Sequence, residues 1–414
     1  MELNLDTIKK AQNNIKTVVR KTPLFYSSTF SKKTGYEVYL KCENKQKTGA
    51  FKLRGAYNKI VSLTEEEKER GVIASSAGNH AQGVAYAATA FGIKSTIAMP
   101  KTAPQAKVMA TKGYGAEVVQ HGEVYDECYE KALEIQKATG ATFVHPFNDI
   151  HVMAGQGTIA LEILEEIEDI DAIIVPIGGG GLISGIAVAA KSIKPDIKII
   201  GVQSAIIAST KASLEKDQIV TLPGAKSLAD GISVKTPGDI AFKYIREYVD
   251  EVVTVTEDEI AYGIFELIEK TKVIAEGAGA STVAALLANK INIKGKKVVA
   301  LISGGNIDIA MISKIIDRQL IMLKRRIRFK VELQDKIGEF EDVISNIVST
   351  GANIVKARQD TNWSEKGLEY ANVIFEVEVQ SKEQGDKLLK QLSEKGIIYK
   401  QIYVCNKFSK IGGK

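Results

Sequence analysis

Lys52 differs from the other lysines of this 414-residue chain in what surrounds it. In TGAFKLRGA, residues 48–56, it lies between Phe51 and Leu53, with Gly49, Ala50, Gly55 and Ala56 close by. Small neighbours leave room for a bulky group. An amine kept from water loses part of its affinity for a proton. It then becomes a nucleophile able to form an imine with a carbonyl. Three further stretches carry complementary chemistry. GGGGL (Gly178, Gly179, Gly180, Gly181 and Leu182) follows the apolar run DAIIVPI and opens the helical run LISGIAVAA. Consecutive glycines let backbone N–H groups converge on an anion at a helix N-terminus, which makes a phosphate cradle. SSAGNHAQG, residues 75–83, offers serines, an amide and helix-terminal N–H groups that can hold a carboxylate or a ring hydroxyl. SGGN, Ser303 to Asn306, places a hydroxyl at a strand end, where it can face a ring nitrogen. Taken singly, the last two stretches also read as capped turns, and His80 reads as a structural residue rather than a base.

A dinucleotide site is the competing reading of the glycines. It requires a third glycine where Ser184 stands, and an acid at the end of the next strand, which here ends in Gln203 and Ser204. A Walker loop is excluded because no Lys-Ser or Lys-Thr follows the glycines. A phosphate cradle, an enclosed lysine and a polar strand end together suit one molecule, pyridoxal phosphate, which has a phosphate, an aldehyde and a ring nitrogen.

The elements that must position these residues are legible in outline. GVIASS, STIAMP, AEVVQ, DAIIVPI, KIIGVQS and KVVALIS read as buried strands; AQGVAYAATAFG, VYDECYEKALEIQKATG and LISGIAVAAKSIK have helical spacing, as do residues 4–20. Apolar strands alternating with helices predict an α/β fold with mainly parallel sheet covered on both faces, in two lobes before about residue 320. The pattern changes at LKRRIRFKVEL, where Ile327, Phe329, Val331 and Leu333 alternate with polar residues. Helix EFEDVISNIV, strands ANIVKARQD and YANVIFEVEV, helix EQGDKLLKQLSEKG and strand IIYKQIYV follow, which is the βαββαβ order of a ferredoxin-like unit. The expected division is 1–322 and 323–414. KRRIRFK reads as a solvated run entering a strand rather than a nucleic-acid site.

The totals agree. A net charge of +5 does not describe a nucleic-acid-binding surface. Three widely spaced cysteines, Cys42, Cys128 and Cys405, predict no disulfide framework and fit a reducing cytoplasm. The four histidines have no zinc-like spacing, so no metal is expected. The polar start MELNLDTIKK is unlike a signal peptide, and no apolar run has the length of a membrane span.

FKLRGA, SAGNHAQG, GGGGL and SGGN, in this order, resemble the pyridoxal-phosphate enzymes of the tryptophan-synthase β-chain fold, and among them the threonine dehydratases, also called threonine ammonia-lyases. The resemblance covers roughly residues 4–320; from about Arg326 the chain resembles an ACT domain, a small amino-acid-sensing module. It implies that Lys52 holds the cofactor as an imine, with Phe51 packed beside it. Asn79 would bond the ring hydroxyl, Gly178 through Leu182 the phosphate, and Ser303 would face the ring nitrogen. Ser75 and Ser76, with Ala77 and Gly78, would receive the substrate carboxylate. The implied reaction turns L-threonine into 2-oxobutanoate and ammonia, with L-serine a slower substrate. In serine racemases of the same fold the residue before the Gly-Asn pair is a serine that acts as acid and base; here it is Ala77, and Phe147 replaces a polar residue, so the dehydratase is favoured. The ACT resemblance implies an amino-acid effector such as isoleucine or valine near Gln334–Gly338, with Asp335 and Gly338 as candidate contacts, and a homodimer or homotetramer. A serine dehydratase or racemase, and a catalytically silent amino-acid sensor, are the alternatives.

Overall fold

The computed structural model describes residues 1–361 and 364–402. Cys405 and the last two residues of the expected strand IIYKQIYV, Tyr403 and Val404, lie outside the described residues. The chain divides into two compact units, Met1–Ile307 and Asp308–Lys414. This division falls before the helix Ile309–Met322, whereas the sequence reading places the boundary after it; an ion pair of 2.6 Å between Asp317 and Arg326 ties that helix to the second unit's first strand.

The first unit holds two sheets. The larger has six strands in the order Leu24–Tyr26, Glu37–Cys42, Lys297–Ile302, Ala172–Pro176, Lys198–Ser204 and Glu251–Val255. All neighbours are parallel except the first pair. The smaller runs Glu117–Gln120, Ser95–Met99, Val72–Ser75 and Thr142–Phe143, all parallel. Parallel strands need crossover helices, which cover both faces and bury the strands completely. Ala172 to Pro176 and Val298 to Ile302 are accordingly buried throughout. At roughly 1.5–3 kcal/mol for each fully buried Val, Leu or Ile, this continuous apolar lining is the main force holding the lobe together.

The smaller sheet is an insertion. The chain leaves the larger sheet after Cys42, builds all four strands of the smaller one, and returns through the helix Ile150–Glu166. Lys52 begins the helix Lys52–Val61 on the outward path, and Pro146 lies on the return path.

Every strand named in the sequence reading is present. The short strands Leu24–Tyr26, Thr142–Phe143 and Glu251–Val255 were not foreseen, nor were several helices, among them Lys52–Val61, Ile150–Glu166 and Gly277–Leu287. The N-terminal helix is shorter than the expected 4–20, spanning Leu5–Ile15.

The second unit is a four-stranded antiparallel sheet in the order Asn353–Asp360, Tyr370–Glu378, Arg326–Gln334, Tyr399–Gln401. Helices Glu339–Ser349 and Lys382–Glu394 complete the βαββαβ sequence. Phe329, Val331, Val373, Phe375 and Val377 form its core with Val343, Ile347, Leu388 and Leu392. The basic run is a paired sheet surface: Arg326 meets Glu378, Arg328 meets Glu376, and Lys330 meets Glu332 and Glu365.

Candidate active site

The four chemistry-bearing stretches meet where the strands of the first unit end. Parallel strands point their carboxyl ends the same way, so within each sheet the loops that follow them cluster on one edge, the usual place for a ligand in such sheets. Ser75 ends Val72–Ser75, Gly178 follows Ala172–Pro176 by one residue, and Ser303 follows Lys297–Ile302.

Two backbone hydrogen bonds stitch the lysine loop to the serine loop. The Phe51 N–H donates to Ser303 O at 3.0 Å, and the Gly305 N–H to Gly49 O at 2.9 Å. Lys52 therefore starts its helix from a fixed point. Its amine donates to the Pro146 carbonyl oxygen at 2.6 Å and lies 5.3 Å from the centre of the Phe51 ring. Burial lowers the Lys52 pKa to about 8, against the opposing pull of the Glu276 charge. The crowded lysine thus has the depressed basicity that nucleophilic work needs.

Two residues on, Arg54 anchors the same helix. Its guanidinium is fully buried and forks onto Glu43, at 2.9 and 2.8 Å, and onto Glu162, at 2.6 and 3.0 Å. Lys41, also fully buried, donates to Glu162 at 2.7 Å. This network joins the lysine helix to the larger sheet and to Ile150–Glu166. The sequence reading missed it, because Glu162 lies 108 residues from Arg54 and the charges carry no local pattern.

The tetraglycine turn has the shape of a cradle. Gly180 has φ +101°, which only glycine adopts freely, and the helix Gly181–Ile193 begins with no side-chain cap. A Cβ on Gly179 would lie 2.3 Å from the Phe147 ring. The first-turn N–H groups are thus left for an anion that small backbone can approach.

The SSAGN loop follows the strand Val72–Ser75 of the smaller sheet. Ser75 is buried, and its hydroxyl has no partner among the described residues, as befits a group awaiting a ligand. Ser76, Ala77, Gly78 and Asn79 are partly buried at the start of the helix Asn79–Ala90. The Asn79 amide is held from both ends. Its Nδ2 donates to Glu276 Oε1 at 2.7 Å, and its Oδ1 accepts from Asn306 Nδ2 at 2.7 Å. His80 lies inside that helix, buried against Val144 O at 2.8 Å; burial and the Lys52 charge push its pKa down to about 3. Nearby His145 falls to about 4 for the same reasons. Both imidazoles are neutral, and His80 lies in a helix rather than in the loop that the sequence suggested. Glu276 and Asn306 are the polar residues whose place the sequence did not reveal.

Among the described residues there is no cluster of acids, histidines and cysteines that could hold a metal ion, and no helix is long and apolar enough to cross a membrane.

Pyridoxal phosphate fits what is present in the first unit: a low-pKa amine, an uncapped glycine cradle and an unpartnered serine hydroxyl. Comparison with known proteins agrees. Residues 15–304 match the family model described as pyridoxal-phosphate dependent enzyme. The chain is 49% identical over 394 residues to the L-threonine ammonia-lyase of Thermotoga maritima, an alignment covering 95% of this chain and 98% of that one. The solved structure of processed threonine deaminase isoform 2 from Solanum lycopersicum is 37% identical with TM-score 0.70, covering 75% of this chain and 93% of the other. That of maize serine racemase is 36% identical with TM-score 0.73, covering 77% and 98%. The chain belongs to the pyridoxal-phosphate dependent enzyme family, with the tryptophan-synthase β-like fold and an additional antiparallel unit at its C-terminal end.

Proposed function

We propose that this chain is a threonine ammonia-lyase, converting L-threonine to 2-oxobutanoate and ammonia and acting more slowly on L-serine. The observation that carries the reading is the 49% identity to a protein of that name across almost the whole of both chains.

Lys52 would hold the cofactor through its aldehyde carbon, with Phe51 beside it. The N–H groups of Gly178, Gly179, Gly180, Gly181 and Leu182 would hold the phosphate, Asn79 the ring hydroxyl, and Ser303 the ring nitrogen. When bound, the group supplies a sink for the electron pair left at Cα once its proton is removed. The Lys52 amine, with its pKa near 8, is the base that takes that proton. Ser75, Ser76, Ala77 and Gly78, at a helix start, receive the substrate carboxylate through hydroxyl and N–H donors. His80 and His145, both neutral, add no competing base. Ala77 has no proton to deliver to the opposite face of Cα, which favours elimination over racemisation.

Release of 2-oxobutanoate from L-threonine, with Lys52→Ala as control, tests the reading. Preference for serine, or formation of D-serine, would favour a serine dehydratase or racemase. No turnover of either substrate by cofactor-loaded protein would favour the amino-acid sensor.

The second unit we assign as an ACT domain that senses an amino acid, isoleucine or valine, at the loop Gln334–Gly338. Support comes from the sheet order and from Gly338, whose φ of +99° and open surroundings suit backbone contact with a ligand. Asp335 is exposed on the same loop, and Ile337 is wholly exposed. The chain would work in the cytoplasm as a homodimer or homotetramer.

A further inference from the structure

Glu276 stands at the N-cap of the helix Gly277–Leu287, yet its side chain makes no bond to that helix. Short polar side chains cap helices well, and glutamate does so poorly. The carboxyl is instead buried against the loop after Ser303, so closely that a Cβ on Gly304 would lie 2.4 Å from its Oε1. There it accepts from Asn79 Nδ2 at 2.7 Å. Asn306 donates through its own amide to Asn79 Oδ1 and to Thr48 O, at 2.7 and 2.9 Å. These bonds settle which end of the Asn79 amide faces which way. One Nδ2 hydrogen is committed to Glu276 and the other is left for a ligand.

The charges facing the carboxyl come from three directions. Asp230, at the start of the short helical turn Asp230–Ile232, raises its pKa; Lys107, on the helix Gln105–Gly113, lowers it. Those two residues are themselves paired at 3.1 Å, so their fields largely cancel. Lys52 is the third, its own pKa raised by the Glu276 charge. Burial is left as the largest influence and lifts the carboxyl to about 7.

Resting on the cofactor role proposed for Asn79, we infer that Glu276 is a positioning residue that holds the Asn79 amide toward the cofactor ring, and that a proton taken up by its carboxyl loosens that hold. An ionised carboxylate accepts the Asn79 N–H bond with charge assistance, roughly doubling its strength. A proton from solvent removes the charge and turns one oxygen into a donor.

The test follows pyridoxal phosphate release from the holoenzyme by absorbance between pH 5.5 and 9, alongside the pH profile of kcat/KM. In the wild type, release rises about tenfold from pH 8 to pH 6, as the protonated fraction grows around a midpoint near 7. Glu276→Gln carries no charge and presents a donor in place of one oxygen, as the protonated carboxyl does, so its release is fast, near the wild-type rate at pH 6, and flat over that range. Glu276→Asp is too short to reach Asn79 and releases quickly at every pH, with circular dichroism confirming that it folds. A Gln variant that keeps the wild-type pH dependence, or a flat wild type, overturns the inference while leaving the lyase reading intact. A chain that takes up no cofactor overturns both.

Discussion

The amine of Lys52 and the carbonyl oxygen of Pro146 are 2.6 Å apart. One begins the outward path of the inserted lobe and the other ends its return. The bond keeps the amine at the seam between the lobes and aims it along one line. Because burial lowers its pKa to about 8, the neutral, nucleophilic form rises with pH through that value. Capture of pyridoxal phosphate by the apoprotein is expected to accelerate about tenfold per unit below pH 8 and to level off above it. Stopped-flow absorbance reads the rate, and Lys52→Ala abolishes both the absorbance change and turnover.

Glu276→Gln is expected to stabilise the protein at alkaline pH. The folded-state pKa of Glu276, about 7, is above its unfolded value. The folded form therefore binds the proton more tightly, and stability falls as pH rises from about 4.5 to 7. Above pH 7 the ionised buried carboxyl costs on the order of 3 kcal/mol, which glutamine does not incur. Thermal melts should show a higher Tm for the variant at pH 8 and little difference at pH 4.5.

Arg54→Met leaves Glu43 and Glu162 buried with their main partner gone. Breaking a buried network from one side costs about 3–5 kcal/mol, so denaturant midpoints should fall sharply. Cofactor affinity should fall with them, because the same helix carries Lys52. Replacing Arg54, Glu43, Glu162 and Lys41 together with apolar residues should recover much of the stability.

Gly179→Ala drives a methyl group into the Phe147 ring, since its Cβ would lie 2.3 Å away. The cradle must shift or the ring must move, and phosphate binding is expected to weaken at least tenfold, about 1.4 kcal/mol. Adding Phe147→Ala relieves the clash. Cofactor titrations of the two variants should show partial recovery in the double mutant.

Isoleucine and valine are the ligands to offer the second unit, with calorimetry on the full chain as the measurement. Gly338→Val puts a branched side chain at φ +99°, which costs on the order of 1–3 kcal/mol of strain. The binding isotherm should be lost while threonine turnover without effector stays near its wild-type rate. Binding unchanged by this substitution would move the effector elsewhere.

The legible parts of this protein were those with local chemistry. DAIIVPI and KVVALIS announced buried strands because a parallel strand must be apolar on both faces. Gly178 to Leu182 announced a cradle because few turns need four glycines in a row. The strand Thr142–Phe143 escaped because two residues carry no period. Arg54, Glu43, Glu162 and Lys41 escaped because each looks like an ordinary surface charge until the fold brings the four together. Glu276 escaped because a residue before a glycine-rich helix looks like a cap, and only its missing cap bond shows that the side chain has turned away. The unit boundary also lay beyond pattern, since the apolar helix Ile309–Met322 could have joined either side.

The central strands of the larger sheet bear on how the chain is made. Glu37–Cys42 pairs along its whole length with Lys297–Ile302, near opposite ends of the first unit. A ribosome releases the early strand long before its neighbour exists. The inserted lobe, whose four strands lie close together in sequence, can condense during synthesis, while the outer sheet must wait. Until Lys297–Ile302 emerges, Glu37–Cys42 has only Leu24–Tyr26 for a neighbour and leaves its other edge bare. A nascent chain halted before residue 297 is thus a sticky intermediate, and it would need a chaperone to shield that edge.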